Sequence, residues 1–535
     1  MAEYDVVVIG AGHNGLTLGA YLAKEGLSVG IFESRSLPGG GLLTEQPLFP
    51  GFLHNMHSNF HLWPDYAPAW KDLQIENSGM KYFHPSIPWS APLSKQKSIL
   101  IHNQTSITEK SFAKFSKKDA RTYSKIKTEI NPVFKKLMLS TVYSVPKDPN
   151  PEAEKIISRL DWFRREWFQM TPFEVADELF EDETIKTFIL ANIWFAGWAP
   201  DYEKMGDLVP TFLGLCNHMY LPGGGTIQLA YTLSRIVAYH GGKIFVNAPV
   251  EKITLDSIGR ADGIVLGKTA NPMIGGDREV KARKAVVSAT DVTTTFLELV
   301  DESALDQEFR KKVERFNYRG NSLFNVHFEL DEAPKYTSEN VDLGWSQDIG
   351  YETYDDLNDD IKSLDRGELP STPRYEAGVN TLFDKSYAPP GKHVAIAYRE
   401  MPNTDLYRGG SSGLADMQEE YADLVLEKWS RYAPNMKKSN VIARYVYSPF
   451  EYEKKIVSMR TGNWSLGRMD YDQSGTRRPI PQYSDYRTPI KGLYMCSSSC
   501  HPGGSIFLAA GYNAANVILE DLGKKVTQFD RVLKE

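Results

Sequence analysis

Cysteine is scarce, with three in 535 residues. That is too few for a disulfide framework in a chain of this length, so a reducing, cytoplasmic setting is expected. Long apolar runs are missing as well. No stretch approaches the ~18 consecutive apolar residues of a membrane span, and the apolar residues 5–9 are too few for a signal peptide. A soluble or peripherally membrane-associated protein is therefore expected. Nor is there a block of one charge: 61 basic and 68 acidic residues leave a net charge of −7 without a basic cluster or an acidic tail. That excludes nucleic acid as an expected partner. No GxSxG elbow marks a serine nucleophile. His54, His57 and His61 lack the Cys or carboxylate that would complete a ligand set, so no metal is expected.

The chain does carry a strong local pattern at its start. Residues 4–34 read YDVVVIGAGHNGLTLGAYLAKEGLSVGIFES, which is a strand, a Gly10-x-Gly12-x-x-Gly15 loop, a helix, and a second strand ending at Glu33. In this βαβ unit Gly10 permits a tight turn, Gly12 lets backbone N–H groups approach a pyrophosphate, and Gly15 lets helix and strand pack closely. Glu33 stands 18 residues after Gly15, close to the ~20 at which an acid accepts hydrogen bonds from an adenosine ribose. Arg35 follows, and then Gly39, Gly40 and Gly41, which bring a second stretch of backbone close to a ligand. Near the far end, GLYMCSSSCHPGGSIFLAAGYNAANVILEDLG (492–523) reads as a strand, a turn through His501, Pro502, Gly503 and Gly504, and a helix from about Ile506. A Gly-Gly turn feeding a helix N-terminus suits the edge of a flavin where negative charge builds up. The expected cofactor is FAD. No second GxGxxG occurs, so no separate nicotinamide domain is expected. Cys496 and Cys500 flank the turn at a spacing that is not the redox CxxC, and they read as small packing residues.

The opening motif resembles that of the phytoene-desaturase-like FAD oxidoreductases, together with LPGGGTIQLAYTLSRIVAYHGGKIFVNAPVEKI (221–253), FAKFSKKDARTYSKI (112–126), DKSYAPPGKH (384–393), GNWSLGRMDYDQSGTRRPIP (462–481) and CSSSCHPGG (496–504). The resemblance is closer to the carotene-ketolase and pyridine-nucleotide-disulphide-oxidoreductase-like branch than to the desaturases proper, and it spans nearly the whole chain. It implies that the backbone of Val250 contacts the adenine and that Ser498 sits where the last strand meets the pyrophosphate and ribityl chain. The chain departs from the family where Gly41 and Leu42 stand in place of the usual Arg after the Gly-Gly pair, at Ser497 in place of Gly, and at Leu466 in place of His.

The expected architecture is α/β. A Rossmann-like FAD-binding domain of amine-oxidase and phytoene-desaturase type is assembled from 1–70, 221–300 and 486–535. A substrate domain of α+β type with a helical cap is inserted as 71–220 and 301–485. The cofactor residues are Gly10, Gly12, Gly15, Glu33, Arg35, Gly40, Gly41, Val250, Ser498, Gly504 and Ile506. His57 and His501 are the catalytic candidates. The aromatic cluster from Trp162 to Trp198 reads first as core, and otherwise as an apolar tunnel or, through Trp162, Arg164, Arg165 and Trp167, as a membrane-facing anchor. The expected function is hydride transfer from a hydrophobic, isoprenoid-like substrate to flavin N5, with oxygen or a quinone as electron acceptor. The alternatives are a flavin oxidase of an amine or aromatic alcohol, and a non-catalytic binding protein with the architecture of Rab GDP-dissociation inhibitors.

Overall fold

The computed structural model describes residues 2–270 and 278–524, and its strands gather mainly into two seven-stranded sheets. In the first sheet, Val6–Ile9 of the opening strand Ala2–Ile9 are apolar throughout and buried, as expected where both faces of a parallel sheet are covered. This strand runs parallel to Val29–Phe32 on one side and to Glu279–Ser288 on the other. Lys243–Phe245 and Leu493–Met495 extend the parallel set outward. The first half of Glu279–Ser288 pairs instead with Ala261–Leu266, which in turn pairs antiparallel with Val250–Leu255.

The register ends all five parallel strands in one row, at Phe245, Phe32, Ile9, Ser288 and Met495. The loops leaving that row carry Gly10–Gly12, Glu33, Ala289 and Cys496–Ser498. The carboxyl edge of an open α/β sheet is where ligands bind. Helix His13–Lys24 packs closely on the sheet and on the last helix, Ala509–Asp521. A Cβ at Gly19 would lie 2.6 Å from the Ile31 side chain, and one at Gly511 would lie 2.3 Å from the Asn14 carbonyl oxygen. The last helix starts later than the sequence predicts because Ser505 (φ 86°) and Leu508 (φ 60°) take left-handed conformations.

The second sheet runs in the order Val441–Tyr447, Leu323–Leu330, His393–Glu400, Tyr375–Gly378, Gly344–Ile349, Ile87–Pro92 and Ser98–Ile101. One of its faces is apolar. Phe324, Val326, Phe328 and Leu330 pack with Tyr421, Val425 and Trp429 of helix Gly410–Ser430. The alternate residues Asn325, His327 and Glu329 point the other way and are nevertheless buried. That period-two strand therefore has a polar inner face, which matters below.

Residues 54–62 contain no helix that would align their histidines. His54–Asn55 pairs with Thr44–Glu45, and His61–Leu62 pairs with Met219–Pro222. In the cap, Trp162, Phe163 and Trp167 pack on one another, and Arg164 and Arg165 are ion-paired with Glu178 and Glu154. Among the described residues no helix is long and apolar enough to cross a membrane.

Candidate active site

The glycines of the first loop differ in what confines them. Gly10 has φ 95°, a conformation open to glycine. At Gly15 an added Cβ would lie 2.3 Å from the Gly10 carbonyl oxygen and 3.0 Å from Ala289 Cβ, so tight packing demands glycine there. Gly12 caps helix His13–Lys24 with φ −67° and ψ 168°, and an added Cβ would meet nothing within 4 Å. Space is thus kept open in front of the helix N-terminus, whose first turn carries no acidic side chain. Gly39 N–H donates to the Ala11 carbonyl at 2.8 Å, which lays the Gly39–Gly41 segment against the loop, and Gly40 (φ 57°) would place a Cβ 3.2 Å from Gly12 Cα. Glu33 is buried and braces both turns: Oε2 accepts from Ala11 N–H and Oε1 from Arg35 N–H, each at 2.9 Å. The Arg35 guanidinium donates to the Gly40 carbonyl at 3.3 Å.

A cavity of about 1060 Å³, counted with its open end, begins at this loop. Gly12, Gly15, Gly40, Gly41, His57, Ser498 and Ile506 all line it. Gly10, Glu33 and Arg35 stand behind its wall. Val250 is half-buried at the start of its strand, two residues after Ala248, whose N–H donates to the Glu33 carbonyl at 2.7 Å. Gly504 is fixed by packing, since its Cβ would lie 2.5 Å from Ser465 Cα. His501 is outside the cavity lining. Its Nε2 is 2.8 Å from the Thr141 carbonyl, and burial pushes its pKa down to about 4. The ring therefore ties the C-terminal turn to the end of helix Lys117–Thr141.

His57 is placed by both sheets. Met56 N–H donates to the Leu43 carbonyl at 2.8 Å, while the Met56 carbonyl accepts from Asn325 Nδ2 at 3.0 Å and from the Tyr452 hydroxyl at 3.3 Å. The imidazole is held edge-on against Tyr447 and Tyr452, at 5.3 and 4.7 Å between centroids. Neither ring nitrogen has a hydrogen-bond partner among the described residues. Burial, followed by the charges of Arg35 and Lys455, holds its pKa well below the usual histidine value, so the ring is a neutral base.

Several wall residues are not legible as site residues from the sequence. His13 is neutral, pushed down to about 4 by burial. Phe60, Leu62, Phe195, Leu323, Ile456, Met459 and Leu466 make one wall apolar, and Tyr398, Tyr452 and Trp464 add polar tips. Of the cap aromatics, Phe195 reaches the cavity; Trp194 lines a separate, polar cavity with Asp201, Glu400 and Arg468. Arg478 is fully buried, donates to the Ser498 carbonyl at 2.7 and 3.1 Å, and is pulled down to about 10 by burial. It puts a positive charge behind Ser498. The charge pattern TRRP gave no signal that one arginine would be inside. Cys496 and Cys500 are buried free thiols whose pKa values burial raises.

These features fit a flavin dinucleotide: open space at Gly12, free helix-terminal N–H groups, a braced acid at the end of the second strand, and buried polar atoms facing the cavity. The family model of an NAD(P)-binding Rossmann-like domain matches residues 8–74. Over 99% of its length the chain is 30% identical to a limonene dehydrogenase polypeptide of Castellaniella defragrans, covering 97% of that protein. It is 29% identical to rat pyridine nucleotide-disulfide oxidoreductase domain-containing protein 2, over 97% of this chain and 94% of that one. A phytoene desaturase (lycopene-forming) of a Paracoccus species is more distant, at 22% over 97% of this chain and 98% of that one. Among solved structures, putrescine oxidase bound to putrescine shares the fold with a TM-score of 0.60 at 15% identity, over 98% of this chain and 99% of that one.

Proposed function

We propose a substrate and a proton acceptor for this chain, which belongs to the family of FAD-dependent oxidoreductases that includes limonene dehydrogenase and the phytoene desaturases. The chain is an oxidoreductase, and the substrate we assign is an apolar, isoprenoid-like hydrocarbon from which two hydrogens are removed. The observation that carries this reading is the cavity itself. One end is the glycine-lined carboxyl edge of the sheet, the middle is a wall of Phe60, Leu62, Phe195, Leu323, Ile456 and Leu466, and the titratable group facing it without a partner is His57.

The proposed cofactor is FAD, one per chain and non-covalent. Its diphosphate would be held by Gly12, Gly40 and Gly41, its ribose by Glu33, its adenine by the Val250 backbone, and its ring end by Ser498 and Ile506, with Gly10, Gly15, Arg35 and Gly504 shaping the loops. When bound, it supplies a hydride acceptor. The protein then has three tasks. The apolar wall binds and orients the substrate and keeps water out. Arg478, behind Ser498, favours negative charge at that end of the cavity. His57, neutral and unpartnered, takes the second hydrogen as a proton. Segments 1–70, 221–300 and 486–535 would form the cofactor domain, with 71–220 and 301–485 holding the substrate. Oxygen or a quinone would take the electrons.

Anaerobic mixing of the purified yellow protein with limonene, phytoene and putrescine in separate runs tests the reading. Bleaching of the flavin by a hydrocarbon and not by putrescine is expected. Bleaching by putrescine alone would move the chain to the amine oxidases.

A further inference from the structure

The inner face of strand Leu323–Leu330 carries Asn325, His327 and Glu329 in succession, two residues apart and so on one side of the sheet. Asn325 bonds to the Met56 carbonyl, next to His57. His54 lies over the same face. Its ring meets that of His327 edge-on at 5.2 Å between centroids, and its Nε2 is 3.5 Å from Glu329 Oε1. Glu329 Oε1 also accepts the N–H of Phe49 at 3.2 Å. Phe49 is 52% exposed, so this end of the row is one hydrogen bond from the surface.

His54, His327 and Glu329 are at most 1% exposed and His57 is 7% exposed. Even so, both nitrogens of His54, both of His57, His327 Nε2 and Glu329 Oε2 have no hydrogen-bond partner among the described residues. Buried polar atoms in folded proteins are nearly all paired with protein or with ordered water. Six unpaired atoms strung along one route, from a cavity to a surface loop, are more than a packing accident produces. The four side chains are not a metal centre, since no group of three or more His, Cys, Asp or Glu among the described residues has the geometry to hold a metal. The charged groups nearest the route are Lys455, ion-paired with Glu45, and Arg35. With the neighbouring histidines they add to the effect of burial in holding His57 and His327 well below the usual histidine value. Rings held neutral in this way pass a proton on quickly after accepting one.

We propose that His57, His327, His54 and Glu329 form a hydrated proton path that carries the proton released by substrate oxidation from the cavity to the surface at Phe49. The inference rests on the oxidoreductase reading above. In the reaction one substrate C–H bond breaks and its electron pair leaves with the hydrogen as hydride to the flavin. The pair of an adjacent C–H bond becomes the new C=C bond, and that hydrogen leaves as a proton onto His57. The proton must then cross a buried wall to reach solvent. His327, His54 and Glu329 are conducting residues that do not touch the substrate.

The test uses the flavin-loaded holoenzyme in weak buffer with a pH-indicator dye, mixed anaerobically with limonene, following flavin and dye together. In the wild type the proton should appear with flavin bleaching. In His327→Phe and in the isosteric Glu329→Gln, first-turnover bleaching should stay within about threefold while the proton lags by about tenfold or more. A merely structural role would slow both signals together, and proton release in step with bleaching in both variants would overturn the proposal. If limonene leaves the wild-type flavin unbleached, the substrate reading fails and the path is tested without substrate: photoreduced holoenzyme is oxidised with ferricenium, which takes two electrons and frees a proton from the flavin. The same lag in the variants supports the path, and its absence overturns it. Should either variant fail to fold, ¹⁵N-histidine spectra of the wild type decide. Imidazole N–H signals of His54, His57 and His327 that exchange rapidly with water are expected; slow exchange at all three would refute a hydrated route.

Discussion

Gly12→Ala and Gly15→Ala should damage different properties of the protein, because one glycine keeps space open for a ligand and the other keeps helix and loop together. At Gly12 the backbone (φ −67°, ψ 168°) suits alanine and the added methyl meets nothing within 4 Å. Losing a glycine from the unfolded chain stabilises by about 0.4–1 kcal/mol, and a poorer N-cap costs about the same. The apoprotein should therefore stay within about 1 kcal/mol of wild type. Its methyl, however, would stand where the diphosphate approaches, and each lost charge-assisted N–H bond costs about 1.5–3 kcal/mol, or roughly 10- to 150-fold in FAD affinity. At Gly15 the methyl would lie 2.3 Å from the Gly10 carbonyl oxygen and 3.0 Å from Ala289 Cβ, and no flexible side-chain end can yield. Overpacking of this kind costs about 3 kcal/mol, of which helix propensity returns about 1. Urea titration of the two apoproteins and FAD titration by fluorescence quenching separate the effects. Wild-type FAD affinity in Gly12→Ala, or wild-type apoprotein stability in Gly15→Ala, would refute the reasoning.

Glu33→Ala should weaken FAD binding and also cost the apoprotein about 2 kcal/mol or more, because two backbone donors at 2.9 Å lose a charged acceptor; unchanged urea midpoints would contradict this. Burial lifts Glu376 from its ordinary 4.5 to about 8, so the folded state holds its proton more tightly than the unfolded state. The stability this group contributes is full below about pH 4.5 and is lost as pH rises toward 8. Glu376→Gln should accordingly gain about 2–3 kcal/mol on wild type between pH 5.5 and 7.5, read from urea curves at both values; a constant difference would mean that the carboxyl is ionised in the fold. Trp194, 7% exposed, should cost about 3–5 kcal/mol on truncation to alanine, whereas Phe195→Ala should also raise KM, since Phe195 lines the cavity. A Trp194→Ala protein with wild-type melting and raised KM would restore the tunnel reading of the cap.

What was legible in the sequence is what the chain does locally. Gly10, Gly12, Gly15 and Glu33 sit within one βαβ unit whose hydrogen bonds span at most about two dozen residues, and each has a reason visible in its spacing. The end of the C-terminal strand was readable for the same cause, whereas the helix after it begins at Ala509 because Ser505 and Leu508 take positive φ, which neither residue type advertises. The walls of the cavity come from far apart. Asn325 reaches Met56 across 269 positions and Tyr452 reaches it across 396, so no periodicity could have marked Tyr398, Tyr452 or Trp464. The buried row on strand Leu323–Leu330 hides differently, because alternation of apolar and polar residues ordinarily means that the polar side faces water, and here both faces are covered.

The central claim, that the glycine-lined edge of the first sheet holds FAD for an oxidation, meets its most direct test in the flavin content of the purified protein. The account predicts a yellow protein with one FAD per chain that acid or heat denaturation releases intact into the supernatant. A colourless protein that takes up no FAD when the cofactor is supplied in excess would contradict it.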